Sequence, residues 1–273
     1  MEPTTLIAMG GLMLALGAFA GILAGLLGVG GGIVLVPGFF YMFAALGYDG
    51  PMLMQVCLAT SLATIIVTSA RSVAAHHRKG AVEWPILKGW AVGIAVGALF
   101  GVVVAAQLRS DVLQAIFGGL AFCIALYMIF GRNQWQLGSE MPRGLKRMVL
   151  APVIGLLSVL MGIGGGSFGV PLMSLHGVPV HRAVATAAGF GAIIAVPSVL
   201  AFLFVDVGPT SAPPLTIGAV NVPAFLIVIA MTLITAPMGA ALAHRLDAKR
   251  LKRIFGAFLI LVSLNMLRKA VGW

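Results

Sequence analysis

The sequence predicts an all-α, polytopic integral membrane protein. Hydrophobic residues make up 60% of the 273 residues and charged residues only 9%, and the mean hydropathy is +1.10. A soluble core of this size cannot bury so many apolar side chains, so the surrounding solvent must be lipid. The apolar stretches are continuous rather than alternating, which favours spanning helices over a β-barrel.

The apolar stretches follow one another along the whole chain. No Lys or Arg precedes the first stretch, unlike the basic start of a secretory signal, so we expect a retained helix there. Cys57 and Cys123 lie inside apolar stretches and are interpreted as small hydrophobic residues, so no disulfide, cofactor or metal site is predicted. The stretches near the length of a spanning helix are 5–27, 52–70, 84–106, 112–130, 183–205, 222–243 and 254–271.

The basic residues lie mainly between these stretches. The formal net charge is +10, which in a soluble protein would suggest a nucleic-acid partner. Here the Lys and Arg residues are placed to orient the chain in a lipid bilayer. We therefore expect the bilayer as a partner and no nucleic acid.

The sequence contains two copies of one unit. The glycine motif Leu27–Gly32 (LGVGGG) returns as Met161–Gly166 (MGIGGG) at an offset of 134 residues. Farther on, Gly80–Pro85 (GAVEWP) returns as Gly218–Pro223 (GAVNVP) at an offset of 138 residues. The chain is therefore predicted to be an internal duplication.

The positive charges predict how the two copies are oriented. If each glycine-rich segment crossed the membrane once, the Lys and Arg residues would divide almost evenly between the two sides. If each segment folds back at its glycines, thirteen lie on one side, in loops 71–80, 132–147, 177–182 and 244–253, and three on the other, so that these loops form the predicted cytoplasmic face. The sequence thus predicts two inverted-topology repeats in the cell (inner) membrane, each a glycine-broken helical hairpin followed by three transmembrane helices, with both termini external. The predicted parts are a first repeat at 1–131, a cytoplasmic linker at 132–146 and a second repeat at 147–273.

The two GGG runs are candidate binding sites. Glycines that break an apolar helix leave backbone N–H groups that lipid cannot satisfy, so the break must face protein or water. The arm after each break begins a helix, and helix starts carry partial positive charge and unpaired donors. Two such starts facing one point would bind an anion. The candidate residues are Gly30, Gly31, Gly32, Gly164, Gly165, Gly166 and Ser167.

Close helix packing is the alternative explanation for these glycines. Four-residue spacing, as in Gly17-Gly21-Gly25 and Gly93-Gly97-Gly101, is typical of packing between membrane helices. Three consecutive glycines exceed what a packing groove needs. The duplicated GGG runs therefore favour a site, and the isolated spacings favour packing.

Polar side chains on the next helix of each copy extend the candidate site. Thr60 and Ser61 align with Thr186 and Ala187. The hydroxyls of Thr60, Ser61 and Thr186 could donate to anion oxygens, or could bond to carbonyls of their own helices. Arg71, near the end of the 52–70 stretch, is a candidate substrate contact or a plain positive-inside anchor.

The duplicated glycine motif, followed in each copy by Val36-Pro37 or Val170-Pro171 and a helix with polar residues, resembles the TauE/SafE sulfite-exporter family. The resemblance covers essentially the whole chain. It implies a permease for small sulfur-containing anions, such as sulfite or organosulfonates.

The predicted function is therefore secondary transport of a small anion, by alternating access around the two glycine-rich breaks, and not enzymatic catalysis. One alternative is an intramembrane serine hydrolase, because Gly165–Gly169 (GGSFG) fits Gly-x-Ser-x-Gly around Ser167. The repeat equivalent of Ser167 is Ile33, so the break recurs without the hydroxyl and does not favour that chemistry. A non-transporting membrane scaffold is the other alternative, and a homodimer is compatible with each.

Overall fold

The computed structural model describes residues 3–27, 31–131, 136–243 and 248–272. Of the sequence predictions, Gly30, residues 132–135 of the linker and residues 244–247 of the loop at 244–253 lie outside the described residues. Within the described residues the chain forms ten helices and one short antiparallel ribbon. The helices are α1 (Pro3–Leu27), α2 (Gly32–Ala45), α3 (Leu53–Arg78), α4 (Trp84–Gln107), α5 (Ser110–Phe130), α6 (Gly144–Leu160), α7 (Gly166–Leu175), α8 (Val180–Phe202), α9 (Val222–Ala243) and α10 (Ala248–Ala270), and the strands are β1 (Thr216–Ile217) and β2 (Val220–Asn221).

The predicted all-α polytopic membrane class is confirmed. Five helices of the described chain are long and apolar enough to cross a membrane, namely α3, α4, α5, α8 and the Val222–Gly239 part of α9. The bounds of α4, α5, α8 and α9 lie within about three residues of the predicted stretches, whereas α3 continues eight residues beyond the stretch 52–70, through Arg71 to Arg78. The single ribbon contains two residues in each strand, Thr216 pairing with Asn221 and Ile217 with Val220.

Each glycine motif separates two helices that fold back on each other. A Cβ placed at Gly31 would lie 3.3 Å from the Ala20 carbonyl oxygen, and Gly38 faces Leu16, so α1 and α2 run antiparallel. After the second break, the Leu175 carbonyl at the end of α7 accepts a 2.7 Å hydrogen bond from the N–H of Leu137, which precedes α6. With 14 residues in α2 and 10 in α7, these arms are about 21 and 15 Å long, shorter than the roughly 30 Å hydrocarbon core.

The helices pack in pairs that join the two halves of the chain. The central pair is α3 with α8, and around it α1 packs on α9, α6 on α4, and α5 on α10. The helices α3 and α8 run antiparallel, because the N–H of Met52, before α3, bonds to Ser211, after α8, while Glu83, after α3, bonds to Thr186 near the start of α8. If α1 to α5 are exchanged in order with α6 to α10, the pair α1–α9 becomes α6–α4, and the pairs α3–α8 and α5–α10 become themselves.

Small residues bring these pairs close together. A Cβ at Gly97 would overlap the Pro152 carbonyl of α6, and one at Gly17 would lie 3.0 Å from the Val228 backbone of α9. The packing interpretation of these four-residue spacings is confirmed at both contacts. Tight pairing of α1 with α9 and of α4 with α6 leaves α3 and α8, with the glycine breaks, in the centre.

Candidate functional site

The two glycine breaks meet at one place in the interior. A Cβ at Gly32 would lie 2.5 Å from the Gly162 carbonyl oxygen and 3.0 Å from Cα of Ile163. Gly162 has a φ of +59°, which only glycine adopts at little cost, and a Cβ there would also crowd Val36. The segment 161–167 is buried throughout. The breaks are therefore adjacent, as a shared site requires.

The predicted glycines differ in what surrounds them. Gly31 and Gly165 are the residues that cap α2 and α7, and no side chain caps either helix start. A Cβ at Gly165 would overlap Phe190 of α8, and one at Gly164 would lie 3.6 Å from Cα of Gly191. Gly166 is the first residue of α7 and is buried. Close packing and a free helix start thus coexist at the second break.

Ser61 links the two breaks. Its hydroxyl is fully buried and donates a 2.7 Å hydrogen bond to the Gly162 carbonyl. The Ser61 Oγ also lies 3.1 Å from the position that a Cβ of Gly32 would occupy. Because its proton is used in this bond, Ser61 holds the second break in place and, in this conformation, has only lone pairs left to offer.

Thr60 and Thr186 each join one half of the chain to the other. The Thr60 hydroxyl accepts a 3.0 Å hydrogen bond from the N–H of Asn221, and the Thr186 hydroxyl accepts a 2.9 Å bond from the N–H of Glu83. Both threonines are fully buried. Neither bonds to its own helix in the way that Thr64 bonds to the Ser61 carbonyl. These hydroxyls secure the starts of α9 and α4, and each keeps a proton that it can donate.

Ser167 has an unpaired hydroxyl in the first turn of α7. Its side chain is 5% exposed, and its Oγ has no hydrogen-bond partner among the described residues. Ser158, in the last turn of α6 before the same break, is fully buried and also lacks a partner for its Oγ. Ser158 is not among the residues predicted from the sequence, although its place four residues before Gly162 could have indicated it.

Chemistry at Ser167 would need a base within reach. The nearest histidine in sequence, His176, lies nine residues later, about 13 Å away along the helix axis, and its Nδ1 is 2.8 Å from the Leu172 carbonyl oxygen. No group of three or more His, Cys, Asp or Glu residues that could hold a metal ion occurs in the described part of the chain.

Arg71 lies apart from the breaks. It is exposed, seven residues before the end of α3, and the ion pairs of the described residues do not include it. The structure instead pairs Arg182 with Glu83 at the start of α4. The sequence does not predict this pair, because the two residues are 99 positions apart and only the fold brings them together.

The amino-acid sequence is similar to those of a family of known proteins. The family model described as "Sulfite exporter TauE/SafE" matches residues 13–266. A "Probable membrane transporter protein" of Haemophilus influenzae is 31% identical over 258 residues, covering 94% of this chain and 98% of that protein. Proteins with the same description from Methanocaldococcus jannaschii and Bacillus subtilis are 26% and 25% identical, over 94% and 95% of this chain and 94% and 98% of their own lengths. No solved structure matches the chain.

Proposed function

This chain belongs to the sulfite exporter TauE/SafE family and is a multi-pass membrane transporter, and from that premise we propose that its cargo is a small anion, sulfite or an organosulfonate. We propose that the anion binds where the two glycine breaks meet. Transport proceeds by alternating access, in which the two halves of the chain move relative to each other around these breaks.

The observation that carries the proposal is the unpaired, buried hydroxyl of Ser167 at an uncapped helix start. A buried hydroxyl without a hydrogen-bond partner destabilises the folded protein by about 1–3 kcal/mol. Such groups are rare unless a water or a ligand binds to them. The first N–H groups of α7, like those of any helix, point out of the start of the helix. Here they point towards the break, where they favour negative charge. An oxyanion would satisfy the hydroxyl and these N–H groups together.

The acidic residues of the described chain also favour anionic cargo. Asp49, Glu83, Asp111, Glu140 and Asp206 all lie in loops or at the first turn of a helix. None is placed at the middle of a span, where carboxylates usually mark cation and proton pathways. Hydroxyls and backbone N–H groups bind an anion without adding a counter-charge that would then have to be buried.

The predicted inverted repeats fit this mechanism. The antiparallel pairs α3–α8 and α5–α10 and the exchange of α1–α9 with α6–α4 support them. With the interior of the cell negative, each negative charge that leaves gains about 2.3 kcal/mol per 100 mV. Export can therefore proceed without a coupled ion, and the charge-based topology, with external termini in the cell membrane, remains the prediction for orientation.

Flux measurements on purified protein test the proposal. In proteoliposomes with a potassium diffusion potential, labelled sulfite or a sulfonate should cross saturably and faster when the potential pulls anions across. Melting curves with sulfite, sulfate, thiosulfate and sulfonates should show stabilisation that chloride does not give, because a ligand of the folded state raises its stability. Saturable flux of a cation or neutral solute, with no anion competing, would overturn the proposal.

The hydrolase and scaffold alternatives make different predictions. Ser167→Ala should abolish a hydrolase completely, whereas a transporter should keep appreciable flux with weaker anion affinity. A scaffold should show no saturable flux at all. A homodimer, if it forms, should leave the site within each subunit, because the residues at the breaks contact one another within one chain.

A further inference from the structure

The start of α4 is fastened to two other helices at one junction, on the predicted cytoplasmic side. The N–H of Glu83 donates to the Thr186 hydroxyl at 2.9 Å, and the Glu83 carboxylate forms an ion pair with Arg182. Trp84 Nε1 donates to Nδ1 of His77, at the end of α3, at 3.2 Å. Arg182 and Thr186 are one helical turn apart on α8, so both can bind Glu83, the residue that precedes α4.

The helix face that carries Arg182 leads directly to the second glycine break. Arg182, Thr186 and Phe190 are spaced four residues apart and lie on one face of α8. Phe190 covers the break, since a Cβ at Gly165 would overlap its Cβ and one at Gly169 would lie 2.8 Å from its ring. From Arg182 to Phe190 is about 12 Å along the helix axis, so this face joins the protein surface to the proposed anion site.

The Glu83–Arg182 ion pair lies at the end of that helix face which reaches the protein surface. The Arg182 side chain is 43% exposed and that of Glu83 is 28% exposed, so solvent reaches both. A guanidinium binds planar carboxylates and the oxygens of sulfur or phosphorus oxyanions through the same fork of N–H donors. A dissolved oxyanion that reaches Arg182 therefore competes with the Glu83 carboxylate for the same donors.

The other half of the chain lacks this pair. The offsets of 126 and 138 residues place Val56 opposite Arg182 and Asn221 opposite Glu83. Both replacements are uncharged, although the hydrogen bond from the backbone N–H to the threonine is kept. The charge pair is therefore an addition to one end of the molecule and not a requirement of the repeated fold.

We propose that Glu83 and Arg182 form a gate at this junction, in which the Glu83 carboxylate occupies the Arg182 guanidinium until an anionic cargo takes its place. The inference rests on the proposed function, since it needs an anion as cargo. When the anion binds Arg182, the start of α4 loses its ion pair and is held only by the remaining contacts with Thr186 and His77. Cargo binding and loosening of the junction are thus one event.

Competition makes a prediction of sign that a purely structural brace does not. Glu83→Gln removes the competitor, so the purified protein should bind sulfite about fivefold more tightly, which is the scale of a partly exposed ion pair. Arg182→Gln removes the anion contact and should weaken sulfite binding at least about fivefold. Both variants should melt at a lower temperature without ligand, because both lose the pair. Affinities come from melting curves titrated with sulfite, in detergent, where both faces are accessible.

Two further variants keep the test decisive. Arg182→Lys retains the charge but loses the planar fork, so its affinity should lie between those of the wild type and Arg182→Gln. Glu140→Gln breaks the exposed 3.2 Å pair with Arg143 and should leave the affinity unchanged. If Arg182→Gln does not fold, the comparison of Arg182→Lys with Glu83→Gln still gives opposite signs.

Three results are distinguishable. If the wild type binds neither sulfite nor sulfonates, the proposed function itself fails. If the wild type binds sulfite but Glu83→Gln and the Arg182 variants change the affinity in the same direction, or not at all, the pair is a structural brace and the gate is wrong. Opposite changes, with Glu140→Gln unchanged, support the gate.

Discussion

The two ends of the molecule use one backbone device with two different side-chain chemistries. At one end Thr186 accepts the N–H of Glu83 before α4, and at the other Thr60 accepts the N–H of Asn221 before α9. The Glu83 carboxylate reaches across to Arg182 of the other half. The Asn221 side chain stays within its own half.

Asn221 closes a local network that does not depend on charge. Its Oδ1 accepts the N–H of Ala224 at 3.0 Å and so caps α9, while its Nδ2 donates to the Pro214 carbonyl and the Thr216 hydroxyl. It is 2% exposed, whereas the Glu83 side chain is 28% exposed. The comparison teaches that the Asn221 junction is closed by neutral hydrogen bonds around a buried side chain, whereas solvent reaches the ion pair of the Glu83 junction.

The largest difference is expected at the equivalent glycines Gly80 and Gly218. Both have positive φ, +63° and +57°, which costs a residue with a Cβ about 1–2 kcal/mol. A Cβ at Gly218 would in addition overlap the Leu203 carbonyl, whereas nothing lies within 4 Å at Gly80. Gly218→Ala should therefore lower the free energy of unfolding by about 3 kcal/mol or more and Gly80→Ala by about 1 kcal/mol, measured by denaturant titration in detergent. Equal losses would show that the two turns are not packed differently.

Asn221→Ala should have the next largest effect. It removes the cap of α9, which costs about 1 kcal/mol, and leaves the partly buried Pro214 carbonyl and Thr216 hydroxyl without their donor. We expect a total loss of about 2 kcal/mol. Asn221→Ser keeps a capping oxygen without burying a charge beside the Pro214 carbonyl, and should lose less. A loss no greater than that of Glu83→Gln would contradict the proposed contrast between the junctions.

The two threonine contacts should be energetically alike. Thr60→Val leaves the buried N–H of Asn221 without an acceptor, and Thr186→Val does the same to the partly buried N–H of Glu83, each at almost unchanged volume and each at a cost of about 1–2 kcal/mol. Thr→Ser at either position keeps the hydroxyl and serves as the matched control. Melting temperatures should fall by similar amounts for the two valine variants. A fall at only one end would mean that the hydrogen bonds do not carry equal weight.

Glu83→Gln should have the smallest effect on stability. A pair whose side chains are 28% and 43% exposed contributes at most about 1 kcal/mol, and salt screens it. The melting temperature of the wild type should therefore approach that of Glu83→Gln as ionic strength rises. The same titration on Asn221→Ala should show no such convergence, because neutral hydrogen bonds are not screened in this way.

The sequence suggests Gly97→Leu as a control for substitutions at the glycine breaks, but the structure shows that this control is a poor one. The regular spacing of Gly93-Gly97-Gly101 indicates ordinary packing, so Gly97→Leu looks like a mild reference for substitutions at the breaks. In the structure Gly97 is among the tightest glycines, in direct contact with the Pro152 backbone. Gly119, with nothing within 4 Å, is the appropriate reference.

Composition and internal repetition by themselves determined the membrane class, five of the seven predicted spans and the two glycine breaks, because hydrophobic length, glycine runs and duplicated motifs are local properties of the chain. They also pointed to Thr60, Ser61 and Thr186. Only the tertiary structure decided what those hydroxyls touch, since their partners lie 101 to 161 residues away. The Arg182–Glu83 pair and the unpaired Ser158 hydroxyl likewise depend on which helices become neighbours, and helix packing, unlike helix formation, is set by shape complementarity between distant segments.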